Sequence, residues 1–205
     1  MKTDMPTIPM IDEQIMEGKN FLRLLSWVSP AFPTGGYAYS HGLEWAVEND
    51  DVHNVASLCQ WIEVLLHYGS LQNDFIILQA AWDAAHDQAQ LYDVAEFACA
   101  CASSRERYEE TVYQGEAFQK AATAWNVVPQ DIIPPDVRWP LPVAQGVVFR
   151  YGGISRQQAA LAGGVFLYCC FGFCSRAFGP FRANRRAACF GWFGSYVAES
   201  CSENT

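Results

Sequence analysis

Basic residues are scarce in this chain of 205 residues. Lys and Arg number 13 against 22 Asp and Glu, which gives a formal net charge of −9. Proteins that coat nucleic acid need an excess of basic residues to neutralise phosphates, so this class is excluded and no nucleic-acid partner is expected. Gly and Pro, at 15 and 10, are too few for a fibrous or low-complexity protein, and a hydrophobic share of 51% is too high for a disordered one. The chain is long enough for one well-buried domain.

The first 20 residues lack the features of a secretory signal. They contain neither a basic segment nor an apolar run, and they carry Asp4, Asp12, Glu13 and Glu17. We therefore expect a flexible N-terminal tail over residues 1–20 and a cytoplasmic protein whose eight cysteines are reduced thiols. No two of these cysteines have the CxxC spacing of a zinc or redox site.

Motifs that bind cofactors or metals are missing as well. The sequence has no GxxxxGK[ST] phosphate-binding loop and no HExxH zinc motif. Its four histidines are at least 12 residues apart, so no two of them are spaced by one helical turn as a metal-binding pair would be. The prediction is a protein with no cofactor and no metal site of its own.

Alternating strand patterns are not evident, whereas helical spacing of apolar residues recurs along the chain. Residues 55–68 and 103–125 are clear helix candidates. The segment 127–142 contains five prolines and is expected to be an extended linker. Pro142 and Ser155 stand where two further helices would begin. The predicted fold class is all-α, a compact helical bundle with a Pro-rich linker and an irregular C-terminal tail.

Residues 29–44, which we call the elbow, interrupt the helical pattern near the amino terminus. Prolines and a glycine pair exclude a regular helix up to Gly36, and Ser40 is the predicted N-cap of the next helix. The aromatic residues and glycines of the elbow allow two interpretations. It is either a tight connection in which glycines let two helices approach, or a rigid contact surface for a partner.

Two glutamates are spaced by about one turn in the predicted helix over residues 103–125. Glu106 and Glu110 have i, i+4 spacing and therefore fall on one helix face. Paired carboxylates can act as a general acid and base, which would make the protein a helical enzyme. Because no other catalytic group accompanies them, a solvated or partner-facing acidic patch is the favoured interpretation.

Residues 157–175 carry no charge over 19 positions, which is nearly enough to span a bilayer. A membrane-associated helical protein is therefore a third alternative. The two glutamines at the start of this run and the Gly163-Gly164 pair favour a buried core helix instead.

Three segments together resemble one protein family. Residues 29–33 and 39–44 closely resemble the signature of the urease accessory protein UreF, residues 104–115 are similar to the family's second motif, and residues 141–146 to its third. The resemblance extends over about residues 21–168. It implies an all-α protein without catalytic activity that bridges UreD (also called UreH) and the GTPase UreG, and so supports GTP-dependent nickel insertion into apo-urease. It also implies a homodimer within the complex, no membrane partner and no cofactor of its own, since partner proteins handle the nickel and the GTP.

The residues that match the family's motifs are the predicted partner-binding residues. They lie on the elbow and on the helix that carries the second motif: Phe32, Pro33, Gly35, Gly36, Tyr37, Tyr39, Ser40, His41, Gly42, Glu44, Glu106, Glu110 and Gly115.

The sequence departs from this family after Tyr168. Residues 169–205 hold five of the eight cysteines and show neither an amphipathic nor a turn pattern. Read one base downstream, the codons of residues 178–185 can encode Ser-Val-Arg-Phe-Val-Pro-Ile-Gly, which is close to the segment that the family has there. We therefore predict a tail over residues 1–20, a UreF-like all-α domain over residues 21–168, and an atypical tail over residues 169–205 that arises from a shift of reading frame.

Overall fold

The computed structural model describes residues 10–36, 39, 42–129, 132 and 137–174, and within these ranges the regular structure is entirely helical. The all-α prediction is confirmed. Eight α-helices follow one another: α1 (Met10–Trp27), α2 (Leu43–Glu48), α3 (Val55–Tyr68), α4 (Ser70–Ala84), α5 (Gln88–Ala100), α6 (Arg105–Ala122), α7 (Leu141–Tyr151) and α8 (Arg156–Cys174). A short 3-10 turn, Thr123–Trp125, extends α6.

Helix α1 begins within the segment that was expected to be a flexible tail. Residues 10–20 are helical, and the side-chain amide of Asn20 donates a hydrogen bond to the Gly153 carbonyl at 3.1 Å. At the end of the same helix, Trp27 is fully buried and its ring lies 6.1 Å from that of Phe149. Residues 10–20 of the predicted tail therefore belong to a helix whose carboxyl-terminal end is anchored in the core. Residues 1–9 lie outside the described part of the chain.

Helix α7 is the central element of the fold, since every residue from Leu141 to Phe149 is buried. It packs between α4 and α6. A Cβ atom placed on Gly146 would lie 2.5 Å from the carbonyl oxygen of Leu78 in α4, so only glycine permits this close crossing. Pro142 stands in the first turn and Gly152 ends the helix, which confirms the predicted bounds.

Three apolar clusters hold the helices together. The first joins α1, α6, α7 and α8 around Trp27, Phe118 and Phe149. The second packs α4 and α5 against α7 and against Trp139, which precedes that helix. The third packs α2, through Leu43, against α3 and the start of α4. Burial of apolar surface in these clusters is the main force that holds the bundle together.

Helix α8 begins at the position that the sequence predicts. The Ser155 hydroxyl accepts a hydrogen bond from the Gln158 backbone N–H, and the Gln158 side-chain oxygen accepts one from the Ser155 backbone N–H. This reciprocal pair is a capping box. Ala159 and Ala162 are buried, as expected for a core helix. None of the helices in the described ranges combines the length and the apolar character that crossing a membrane requires.

Asn54→Ala is expected to lower the free energy of unfolding by about 1 kcal/mol, because it removes the N-cap of α3. The Asn54 side chain accepts the Ser57 N–H at 3.0 Å, and the Ser57 hydroxyl accepts the Asn54 N–H at 3.1 Å. Urea unfolding followed by circular dichroism measures the change. Asn73→Ala, at an exposed position inside α4, is the control and should leave the stability unchanged or slightly raised. Equal losses in both variants would contradict the role of the cap.

Candidate functional site

The elbow is a series of tight turns whose hydrogen bonds are largely internal. The Phe32 N–H donates to the Ser29 carbonyl at 2.9 Å, and the Thr34 N–H donates to the Phe32 carbonyl at 2.7 Å. The Gly36 N–H donates to the Thr34 hydroxyl at 3.3 Å. Gly35 has a φ of +75°, a backbone conformation that glycine adopts without strain. Tyr37, Ala38, Ser40 and His41 lie outside the described residues.

One side of the elbow is attached to the core. The Phe32 ring is half-buried and lies 5.1 Å from the Phe118 ring of α6. Thr34 and Gly36 are buried, and Tyr39 is half-buried. Of the predicted contact residues that the structure describes between Phe32 and Tyr39, Pro33 alone is exposed. The elbow is thus held on the bundle by an aromatic contact, and part of its predicted contact surface faces inward.

Helix α2 begins at the far end of the elbow, and its N-cap lies two residues after the predicted N-cap at Ser40. Gly42 holds the N-cap position with a φ of +78°, so the prediction of Ser40 is wrong. The left-handed backbone conformation explains why a glycine occupies this position, because a residue with a side chain would be strained there. Leu43 and Ala46 turn inward, and Glu44 is exposed.

Trp45 is a surface feature that the sequence reasoning missed. It follows Glu44 on α2, and 62% of its surface is exposed. Helical spacing could have revealed its exposure, because burial of Leu43 and Ala46 places residue 45 on the outer face of α2. Large exposed aromatic side chains are the residues that contribute most to protein–protein interfaces. Pro33, Gly42, Glu44 and Trp45 are therefore the exposed candidates on the elbow and the first turn of α2, and we call them the elbow surface.

The second predicted motif begins at the amino terminus of α6. The Ser104 hydroxyl accepts the Arg107 N–H at 3.2 Å and so caps the helix. Glu106 is exposed in the first turn, where its own backbone N–H and the Ser104 hydroxyl donate hydrogen bonds that lower the pKa of its carboxyl. An acidic residue in this position also interacts favourably with the helix dipole.

Glu110 does not share this exposed position. It is 7% exposed; its carboxylate lies 3.2 Å from the Arg107 guanidinium and accepts a hydrogen bond from the Gln114 amide at 3.1 Å. The prediction of a joint acidic surface patch at Glu106 and Glu110 is therefore wrong. The buried Glu110 carboxylate is stabilised by a cation, the Arg107 guanidinium, which lies on the same helix. The two carboxyl groups also lie in different surroundings, one in solvent and one paired in the interior, so no shared acid–base site is formed.

Gly115 is likewise an interior residue. A Cβ atom at this position would lie 1.9 Å from the Trp139 carbonyl oxygen and 2.7 Å from the Pro140 carbonyl carbon. The glycine lets α6 touch the backbone that leads into α7. Gly115 is therefore buried in the folded chain, and its predicted contact with a partner stays a prediction.

Among the predicted contact residues that the structure describes, four are exposed: Pro33, Gly42, Glu44 and Glu106. Phe32, Gly35 and Tyr39 are half-buried, and Gly36, Glu110 and Gly115 are buried. Within the part of the chain that the structure describes, no group of three or more His, Cys, Asp or Glu side chains is arranged to hold a metal ion.

A family model described as UreF matches residues 52–168 of the chain, a range that begins after the elbow. Among similar proteins is the urease accessory protein UreF of Agrobacterium fabrum, which is 44% identical over 141 residues, or 69% of this chain and 62% of the relative. The urease accessory protein UreF of Mesorhizobium japonicum is 51% identical over 104 residues, or 51% of this chain and 47% of the relative. That of Brucella ovis is 43% identical over 141 residues, or 69% of this chain and 61% of the relative.

These matches differ in how much of each protein they cover. The chain spans between 47% and 62% of the length of these relatives. The matched family range contains all of α3 to α7 and most of α8.

Proposed function

The chain belongs to the UreF family, and we propose that it acts as a non-enzymatic accessory protein in the maturation of urease. The family match carries this proposal, because it covers residues 52–168 and the similar proteins are named urease accessory proteins. The arrangement of the described side chains agrees with such a role, since an exposed surface on a rigid support suits protein contact better than chemistry.

We propose that the protein bridges UreD/UreH and the GTPase UreG and so supports GTP-dependent nickel insertion into apo-urease. Nickel and GTP would be handled by those partners and not by this chain. A homodimer within the complex and a cytoplasmic location belong to the same proposal. Support comes from the resemblance of the elbow to the family signature and from the exposed side chains that it carries, Glu44 and Trp45 above all.

Co-purification tests this function against its alternatives. The tagged full chain is expected to retain a UreD/UreH protein and a UreG protein when the three are produced together, and to raise the nickel content of apo-urease only in their presence. An enzyme that uses Glu106 and Glu110 would instead turn over a substrate by itself. Failure to retain either partner, under conditions in which a full-length UreF relative retains both, would refute the bridging role.

Trp45→Ser is expected to weaken binding of the partner by about 30-fold, which corresponds to about 2 kcal/mol for loss of an aromatic anchor. The stability of the free chain should hardly change, because the side chain is 62% exposed. Titration calorimetry with purified UreD/UreH measures the affinity. Phe97→Ser on α5, where the aromatic ring is 60% exposed, is the matched control. A similar loss of affinity in both variants would contradict a specific role for the elbow surface.

We further propose that the reading frame shifts shortly after Tyr168. The change in sequence character at this point supports the idea, and residues 175–205 lie outside the described part of the chain. The nucleotide sequence of the gene tests it directly: a shifted frame should encode a segment close to Ser-Val-Arg-Phe-Val-Pro-Ile-Gly. If no shifted frame encodes it, the tail is a genuine divergent sequence. If a shifted frame does encode it, partner capture by a tail-restored chain shows whether the missing segment contributes to assembly.

A further inference from the structure

A cluster of charged side chains lies between α4 and α6. Arg107 of α6 pairs with Asp74 of α4 and, at 3.2 Å, with Glu110 of its own helix. The exposed fractions of these side chains are only 15%, 20% and 9%, so solvent screens their interactions weakly. Two carboxylates therefore share one guanidinium group in a largely buried position.

The two carboxylates differ in their surroundings. Glu110 accepts a further hydrogen bond from the Gln114 amide. Burial raises the pKa of Asp74 to about 6, the Arg107 guanidinium opposes this rise, and the charge of Glu110 adds to it. Asp74 therefore binds a proton in mildly acidic solution.

A cavity of about 380 Å³ borders the cluster. It lies where the ends of α3 and α5 meet the starts of α4 and α6, and both Asp74 and Arg107 line it. The other titratable side chains in its wall are the Tyr68 phenol and the Cys101 thiol. Water in this cavity can deliver the proton and solvate the released groups.

We propose that protonation of Asp74 breaks its ion pair with Arg107, which is the ionic tie between α4 and α6, and leaves the guanidinium paired with Glu110 of its own helix. The ion pair between Asp74 and Arg107 connects the two helices only while Asp74 is charged. At a pH above the midpoint for protonation of Asp74, Arg107 bridges α4 and α6. At a lower pH, Arg107 pairs with Glu110 within α6, and the Asp74 side chain in the cavity wall is uncharged.

The dependence of folding stability on pH has a definite sign here. Because the folded chain holds the Asp74 proton more tightly than the unfolded chain does, the contribution of this group to stability is fully present below about pH 4 and is lost as the pH rises through about 6. Acidification therefore releases the tie between the helices and at the same time favours the folded state, since a costly buried charge is removed.

Carbon-13 NMR of the aspartate carboxyl groups tests the proposal on the purified full chain. The Asp74 signal, assigned by its absence in Asp74→Asn, is expected to titrate with a midpoint near pH 6, about two pH units above an ordinary aspartate. Backbone amides at the start of α6 should exchange more slowly with solvent at pH 5 than at pH 7.5, after correction for intrinsic rates, because protonation of Asp74 favours the folded state. In Asp74→Asn this pH dependence should disappear.

Two further variants separate the switch from a general effect of charge. Glu110→Gln is expected to lower the Asp74 midpoint, because the neighbouring negative charge is gone. Asp83→Asn removes an exposed carboxyl of the same helix, paired with Arg156, and should leave the midpoint unchanged. An Asp74 midpoint below pH 4.5 would overturn the proposal. So would pH-independent amide exchange at the start of α6 in the unmodified chain, a result that does not depend on whether any variant folds.

Discussion

Gly115→Ala is expected to lower the free energy of unfolding by about 3 kcal/mol, at the upper end of the range for overpacked cores. The added Cβ would lie 1.9 Å from the Trp139 carbonyl oxygen and 2.8 Å from the Leu141 nitrogen. These are backbone atoms, so they cannot rotate away as the end of a side chain would. Relief requires α6 to move away from the start of α7, which opens the cluster around Phe118 and Phe149.

Gly18→Ala is the matched control for this substitution. Gly18 also lies within a helix, α1, but a Cβ atom there would meet nothing within 4 Å. Alanine should stabilise that helix by about 0.5–1 kcal/mol, because glycine loses more backbone entropy on folding. Chemical denaturation of both variants measures the contrast. Equal and small changes in the free energy of unfolding would mean that α6 can move away from the segment before α7 without loss of stability, contrary to the packing described above.

Arg107→Met is expected to cost about 3–5 kcal/mol at pH 7.5, the range for removing one partner of a buried ion pair. The methionine has a similar length but leaves the carboxylates of Asp74 and Glu110 without their shared cation. Because Asp74 takes up a proton near pH 6, the loss should be smaller at pH 5 than at pH 7.5. Urea unfolding at the two pH values measures both the size and the pH dependence of the effect.

Arg105→Met provides the comparison two positions earlier in α6. Arg105 pairs with Glu109 at 2.8 Å, but the arginine side chain is 84% exposed. Exposed pairs of this spacing contribute at most about 0.5 kcal/mol, so this variant should be nearly as stable as the parent at both pH values. If Arg105→Met lowered the free energy of unfolding as much as Arg107→Met does, the number of charges and not their burial would control the stability of this region.

The helices that local signals define were predictable from the sequence. Apolar spacing placed α3 over Val55–Tyr68, and the capping residue Ser155 placed the start of α8. Pro142 and Gly152 likewise marked the ends of α7. Each signal acts within a few residues through hydrogen bonding or steric restriction, so it does not depend on the rest of the chain.

The candidate site was predictable only in part. Pro33 and Glu44 are exposed as a contact surface requires, whereas Trp45 was overlooked and Phe32 packs on the core. The start of α2 was misplaced because the N-cap position is held by Gly42 in a left-handed conformation and not by a capping side chain. Ring packing depends on residues that are distant in sequence.

The sequence by itself determined that this protein is a bundle of helices with a proline-rich linker, because helix periodicity, caps and breakers are local properties of the chain. Only the tertiary structure decided which face of α6 is turned inward. Glu106 and Glu110 are spaced for one face, but Glu110 and Gly115 are buried, the latter against the backbone that leads into α7, whereas Glu106 lies in solvent. The physical reason is that burial follows from the position of neighbouring helices, and a carboxylate can be buried wherever those neighbours and its own helix provide a cation and a hydrogen-bond donor.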